Sequence, residues 1–299
     1  MDLILENLRK GFQKVGYVCE EETILTVYLS LVLEKPILIE GPPGVGKTEM
    51  GKVLAQIFDT ELIRLQCYEG LDENKALYEW NYQKQLLQIQ ISGCYDGTGQ
   101  LQEDLFSSEY LLERPLLKAI QAPKKVVLLV DEIDKADDEF EAFLFEVLSD
   151  FQVSIPELGT IKAKHIPIVI LTSNSERELS DGLKRRCVFL YLDFPDIERE
   201  VKIIQAKVPE AGERLTKEIA KAVNLIRQNT DIRKKPSIAE TLDWTRALVS
   251  LNRDRLQSST IENTLNLLLK NRSDQRVFHE QIGAGTLERK SSSGPVTLG

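Results

Sequence analysis

The chain has 299 residues, 42% hydrophobic and 28% charged, enough for one large domain or two ordinary ones with packed cores. Its 47 acidic and 38 basic side chains give a formal net charge of −9, which argues against a broad duplex-binding surface, because such a surface needs clustered Lys and Arg. No run of about 18 apolar residues is present to cross a membrane, and the N-terminus lacks a secretory pattern. Cys19, Cys67, Cys94 and Cys187 are scattered as in a reducing compartment, so a cytoplasmic protein is expected. His165 and His279 are too isolated to suggest a metal cluster.

In chain order, Ile24 to Leu33 predicts a helix ending near Lys35-Pro36. Ile37 to Glu40 is a short apolar run that predicts a buried strand. A Gly-rich stretch follows, and helical spacing resumes from Thr48 to Phe58. Leu62 to Leu65 predicts a second strand, and residues 70–121 read as mostly helical, broken by turn residues from Ser92 to Gln100. Val126 to Val130 is the clearest buried strand in the chain, and a helix is predicted over Asp138 to Asp150. Phe151 to Ile155 and Thr160 to Lys164 alternate around Pro156-Glu157-Leu158-Gly159, which predicts a β-hairpin. Ile166 to Leu171 and Val188 to Leu192 are further buried strands. After Pro195 only helices are predicted, over Ile197 to Lys207, Leu215 to Gln228, Ile238 to Leu251 and Ile261 to Leu269. The Gly-, Ser- and Thr-rich tail from Gly283 is expected to be disordered. The pattern predicts an α/β domain over 1–195, an all-α domain over 196–282 and a tail over 283–299.

The Gly-rich stretch carries the chemistry. Gly41, Pro42, Pro43, Gly44, Val45, Gly46, Lys47 and Thr48 fit G-x-x-x-x-G-K-[ST], between a predicted strand and a predicted helix. Glycines let the backbone aim several N–H groups at one phosphate, and the helix dipole favours the same anion. Lys47 supplies a cation to the β- and γ-phosphates of a nucleoside triphosphate, and Thr48 offers a hydroxyl to Mg²⁺. Glu49, the next residue, is grouped with the loop as a cofactor contact. Val126 to Val130 runs into Asp131-Glu132. At the carboxyl end of a parallel strand, Asp131 is placed to hold Mg²⁺ and Glu132 to orient and deprotonate water. The competing reading of that pair is a helix N-terminal cap.

With these motifs in this order, the sequence resembles the AAA+ ATPases over about residues 5–270. The resemblance implies ATP as ligand, a five-stranded parallel sheet flanked by helices, and an all-α lid. In such proteins a polar sensor residue follows the later strand. Asn174 matches it, in Leu171-Thr172-Ser173-Asn174, and would position water beside Glu132; a turn or cap is its other role. In Asp181 to Cys187, Arg186 aligns with the arginine that reaches a neighbouring subunit's site, with Arg185 as the alternative. Where relatives carry a lid arginine after Ser-Pro, this chain has Ile238. Lys235 or Arg233 could substitute, or Pro236-Ser237 could simply cap a helix. Gly16-Tyr17-Val18 resembles the segment beside adenine, so Tyr17 and Val18 are candidate cofactor contacts; a core role for Val18 competes.

The hairpin near Pro156 and the break near Ser92 together are similar to the helix-2-insert group, which includes the MoxR-like ATPases. Leu65 to Asp72, Leu77 to Tyr82 and Lys235 to Trp244 resemble the branch that matures aerobic carbon monoxide dehydrogenase, the CoxD branch. That resemblance implies a homo-oligomer, a hexameric ring with ATP sites between neighbours. It also implies a von Willebrand factor A domain partner and a client metalloenzyme, a molybdenum hydroxylase. Tyr78, Trp80 and Tyr82 could grip a polypeptide if exposed, or form core if buried. The alternative function is a nucleic-acid-associated AAA+ motor, with Lys162, Lys164, Lys184, Arg185 and Arg186 lining a basic pore.

Overall fold

The computed structural model describes residues 4–92 and 105–292. Tertiary contacts divide the chain into two units. The first comprises Met1–Gly11, Glu21–Gly41 and Lys47–Tyr191; the second comprises Phe12–Glu20, Pro42–Gly46 and Leu192–Gly299. The expected division at residue 195 therefore lies a few residues late. Two short N-terminal pieces, one of them the middle of the Gly-rich loop, also belong with the second unit, because Gly44 lies against Ser237.

The first unit is built on a five-stranded sheet of β1 (Ile37–Glu40), β2 (Leu62–Gln66), β5 (Val127–Asp131), β8 (Ile168–Ser173) and β9 (Val188–Tyr191). The spatial order is β2-β5-β8-β1-β9, and every neighbouring pair is parallel. Strands covered on both faces read as continuous apolar runs, and all residues of β5 and β8 are buried. The expected strands are all present, but β5 runs one residue further than Val130, so Asp131 is itself a strand residue. The helix Lys47–Ile57 follows β1 through the Gly-rich loop, and Gly51 lets it approach the Leu129 side chain of β5.

The helix Asp138–Asp150 starts on Asp137, whose side chain accepts from Phe140 N, and ends at Phe151 in the left-handed region. The hairpin then forms from β6 (Gln152–Ile155) and β7 (Gly159–Lys162), with Val153 and Ile155 turned inward.

Among the described residues of 70–121 helix predominates, as expected, but strands that were not expected are present. They form a two-stranded antiparallel ladder, β3 (Tyr78–Trp80) with β4 (Leu111–Glu113), beside the helices Tyr82–Ser92 and Pro115–Gln121. Strands of three residues carry too little periodicity to be read locally, and their partners are remote in sequence. The break expected from Ser92 to Gln100 lies outside the described residues, apart from Ser92, which closes a helix. The aromatic trio divides: Trp80 is buried edge-on against Phe106 and Tyr78, whereas Tyr82 is 61% exposed.

The second unit is helical from Ile197 onward, over Ile197–Lys207, Glu213–Gln228, Ile238–Ser250 and Ser258–Leu268. Its core gathers Ile204, Ile219, Val223, Trp244, Leu265 and Phe278, and Trp244 satisfies its indole N–H on Thr264 Oγ1 at 2.8 Å. The tail expected to be disordered is corrected over residues 283–292, and residues 293–299 lie outside the described residues. Ala284–Ser292 forms a helix, after Arg272–Val277 and a π-helical turn Phe278–Ile282. Gly283 (φ +70°) separates the turn from the last helix, and Leu287 is fully buried in the core. Composition hid this helix, because one alanine and one leucine buried among Gly, Ser and Thr read as polar chain.

A buried ion pair braces this unit. Arg227 Nη1 and Nη2 donate to both carboxylate oxygens of Glu200 at 2.6 and 2.9 Å, while Nε donates to Pro236 O at 2.8 Å. Burial pushes the Glu200 carboxyl above its ordinary range, against the pull of Arg227. Arg227→Met leaves that carboxylate alone in the core and is expected to cost about 3–5 kcal/mol in denaturant unfolding, with partial recovery when Glu200→Met is added.

Candidate active site

Parallel register brings the candidate side chains to one sheet edge. Gln66 lies opposite Asp131, and Glu40 opposite Ser173, all at carboxyl ends of strands. Asp131, buried, is the hub. Thr48 Oγ1 donates to Asp131 Oδ1 at 2.9 Å and approaches Oδ2 at 3.3 Å. Thr172 Oγ1 donates to Oδ1 at 2.5 Å and accepts from Glu132 N at 2.9 Å. Arg64 Nη2 donates to Oδ2 at 2.5 Å. Among the described residues, no group of three or more His, Cys, Asp or Glu is placed to hold a metal.

Glu132 turns the chain sharply, with φ 58° and ψ 52°, a left-handed conformation uncommon outside glycine. The turn leaves its carboxylate partly exposed, and Oε2 accepts from Gln66 Nε2 at 2.9 Å and Lys135 Nζ at 2.7 Å. Lys47 is buried; its Nζ donates to Gly41 O at 2.6 Å and Asn174 Oδ1 at 2.7 Å. Burial lowers the Lys47 ammonium below its ordinary pKa, and the carboxylates of Asp134, Asp131 and Glu132 pull it back up. Burial likewise pushes the Cys67 thiol up to about 12, with Asp131 adding to it.

Two residues at this site escape a reading of motifs. Asp134, buried, accepts from Asn174 N and Glu176 N at 3.0 Å each, and so fixes the loop that presents the Asn174 amide to Lys47. Its signal was an acid three places after Asp131. Gln66 Oε1 accepts from Arg64 while its Nε2 donates to Glu132, so β2 touches both acids. Arg186 does not join this group: its Nε donates to Ser149 Oγ at 2.7 Å and its guanidinium lies 3.5 Å from the centroid of the Phe145 ring. Arg185 is exposed on the same short helix, Asp181–Arg186, and Glu49 pairs with Lys52 on the surface of its own helix.

Within the second unit, the middle of the Gly-rich loop meets the start of the helix Ile238–Ser250. Ile238 N donates to Gly44 O at 3.2 Å. Pro236-Ser237 has the capping role: Ser237 Oγ accepts from Glu240 N, and Glu240 Oε2 accepts from Ser237 N. The backbone N–H groups of Arg233 and Lys234 are held by Asp274, and the Arg233 and Lys235 side chains are exposed. Tyr17 packs its ring at a tilt against Phe12 and brings its hydroxyl within 3.8 Å of where a Cβ on Gly46 would sit. Val18 is half-buried and so not a core residue.

Gly44 has φ +76°, and a Cβ there would stand 2.3 Å from Ser237 Cβ. Gly44→Ala is expected to weaken ATP binding at least about tenfold, from backbone strain plus that clash. Adding Ser237→Gly should recover part of the loss in a nucleotide titration, because it removes the clashing atoms.

Comparison with known proteins gives the family and the fold. Residues 36–187 match the model of the AAA domain, dynein-related subfamily. The chain is similar to chaperone protein ClpB of Bacillus anthracis, 29% identical over 153 residues, which are 48% of this chain and 14% of ClpB. It is similar to gas vesicle ATPase GvpN of Haloferax mediterranei, 24% identical over 232 residues, covering 74% of this chain and 64% of that one. An uncharacterized protein of Staphylococcus aureus (strain USA300) is 28% identical over 230 residues, 73% of this chain and 77% of its own length. The match thus spans a small part of ClpB and most of the staphylococcal protein. Among solved structures, a mutant of Thermotoga maritima RuvB superposes with a TM-score of 0.51 at 17% identity, covering 93% of this chain and 77% of that one, a likeness of fold. No helix among the described residues is long and apolar enough to cross a membrane. A strand–loop–helix phosphate motif, an acid-bearing central strand and a helical second unit, joined to a family match over half the chain, make this protein a member of the AAA domain family, dynein-related subfamily, and an AAA+ ATPase.

Proposed function

We propose that this chain is a MoxR-like ATPase of the helix-2-insert group that spends ATP hydrolysis at the Lys47–Asp131 site on remodelling a client protein. The observation that carries the reading is the meeting of Thr48 Oγ1 and Asp131 Oδ1 at 2.9 Å, beside buried Lys47 and the strained turn at Glu132. A hydroxyl and a carboxylate are hard oxygen donors, and Mg²⁺ takes one or two such protein ligands, with phosphate oxygens and water completing its shell. Thr48 and Asp131 therefore fit Mg²⁺. Bound there, it would offset the charge of the β- and γ-phosphates.

The chain's own groups do the rest. N–H groups of Gly41 to Thr48 and the ammonium of Lys47 orient the triphosphate. Glu132 accepts a proton from the attacking water as that water bonds to the γ-phosphorus and the bond from that phosphorus to the β–γ bridging oxygen breaks, its electron pair leaving with ADP. Asp134 keeps Asn174 in place, and Asn174 keeps the lysine aimed. An arginine of a neighbouring copy, Arg186 or Arg185, completes the site and stabilises charge on the departing phosphoryl group. To do so Arg186 would have to give up its contact with Phe145. Tyr17 and Val18 would contact the base.

The ring, a von Willebrand factor A domain partner and a metalloenzyme client awaiting its metal centre follow from the resemblance to the carbon monoxide dehydrogenase branch. ClpB, a chaperone, and GvpN, an ATPase, support the general reading. Two measurements test it. Hydrolysis per subunit should rise with protein concentration, and full turnover by a dilute monomer would refute a shared site. The full-length Glu132→Gln chain with ATP should retain its client in a pull-down. DNA-stimulated hydrolysis that weakens steeply with salt would instead favour the nucleic-acid motor.

A further inference from the structure

The site holds a cation of its own. Arg64 sits on β2 two residues before Gln66, on the same face of the strand, and β2 pairs with β5 so that Gln66 lies opposite Asp131. From there Arg64 Nη2 reaches Asp131 Oδ2 at 2.5 Å and Gln66 Oε1 at 2.5 Å. The partners differ in surroundings: the Arg64 side chain is 51% exposed and that of Asp131 only 3%. The guanidinium thus leans from solvent onto a buried carboxylate.

The two oxygens of that carboxylate are not equivalent. Oδ1 takes the shorter hydroxyl contacts, from Thr172 at 2.5 Å and Thr48 at 2.9 Å. Oδ2 has Thr48 only at 3.3 Å and is the oxygen Arg64 holds. A divalent cation beside Thr48 would draw on the same lone pairs, and two cations on one buried oxygen repel. Arginine stays charged at any ordinary pH, so proton loss cannot clear the way.

We propose that Arg64 is a tethered counter-cation that competes with the divalent metal for Asp131 Oδ2 and thereby sets the metal affinity of the site. This rests on Asp131 being the metal-holding acid. Arg64 acts through Asp131 and is a positioning residue. On metal entry its guanidinium swings outward, which its half-exposed position permits.

The test is direct binding of Mn²⁺ to the full chain with saturating ADP, read by electron paramagnetic resonance, with Mg²⁺ measured by competition. Arg64→Ala should bind Mn²⁺ about two- to fivefold tighter, the scale of one partly exposed ion pair. Arg64→Lys, which keeps the charge and loses the planar fork, should fall between. In an Asp131→Asn background the Arg64 effect should vanish. A second readout separates competition from packing: Arg64→Ala should lower the melting temperature of the metal-free protein, and Mn²⁺ with ADP should close that gap. If Arg64→Ala does not fold, Arg64→Gln keeps the length and carries the same prediction. Should Asp131→Asn weaken Mn²⁺ binding while Arg64→Ala and Arg64→Gln leave it unchanged or weaker, the competition is refuted and the metal assignment stands. Unchanged binding in Asp131→Asn would overturn both.

Discussion

Lys47→Ala is expected to weaken ATP binding by about a hundredfold or more, because it deletes a buried cation that would contact two phosphates, each a charge-assisted bond of roughly 1.5–3 kcal/mol. The geometry leaves no ready substitute. Lys47 Nζ is held between Gly41 O and Asn174 Oδ1, so the side chain is aimed before nucleotide arrives and little ordering remains to be done. Its carboxylate neighbours Asp134, Asp131 and Glu132 would face the triphosphate with that compensating charge removed. Isothermal titration of the variant with ATP checks this; binding within a few-fold of wild type would contradict it.

Glu132→Gln should separate binding from chemistry. The amide retains nearly the shape of the carboxylate and can still meet Gln66, so ATP affinity should change little. It cannot accept the proton of the attacking water, and steady-state phosphate release should fall by about 10²–10⁴-fold. Lys135 also loses the charge of its partner, but that pair is half-exposed and contributes little. Equal rates for wild type and variant would remove Glu132 from the mechanism.

The parts of this site that were legible in the sequence are those whose chemistry is local. The loop from Gly41 to Thr48 lies between a strand and a helix, and Val126 to Asp131 is apolar until its acid, so both announce themselves along the chain. Arg64 and Gln66 do not. They alternate with Ile63 and Leu65 as on any strand, and only the parallel register with β5 puts them against Asp131 and Glu132. Asp134 is visible only as an acid three places after Asp131; its partners, the N–H groups of Asn174 and Glu176, arrive from another strand end. The same holds for Ser237. Its capping box was readable from Ser237 and Glu240, whereas its closeness to Gly44 belongs to tertiary packing. β3 and β4 were missed for want of length, and the last helix because only Ala284 and Leu287 carry its apolar packing.

The central claim is that ATP is hydrolysed at a site built by one copy and completed by an arginine of the next. The most direct measurement mixes two inactive chains, Glu132→Gln and the double variant Arg185→Ala/Arg186→Ala, and follows phosphate release. Each alone should be nearly silent. Mixed, the intact Glu132 of the second chain can meet the intact arginines of the first, and activity should reappear with mixing ratio, greatest near equal amounts. A mixture no more active than the weighted average of its parts, at concentrations where wild type turns over, would contradict the account.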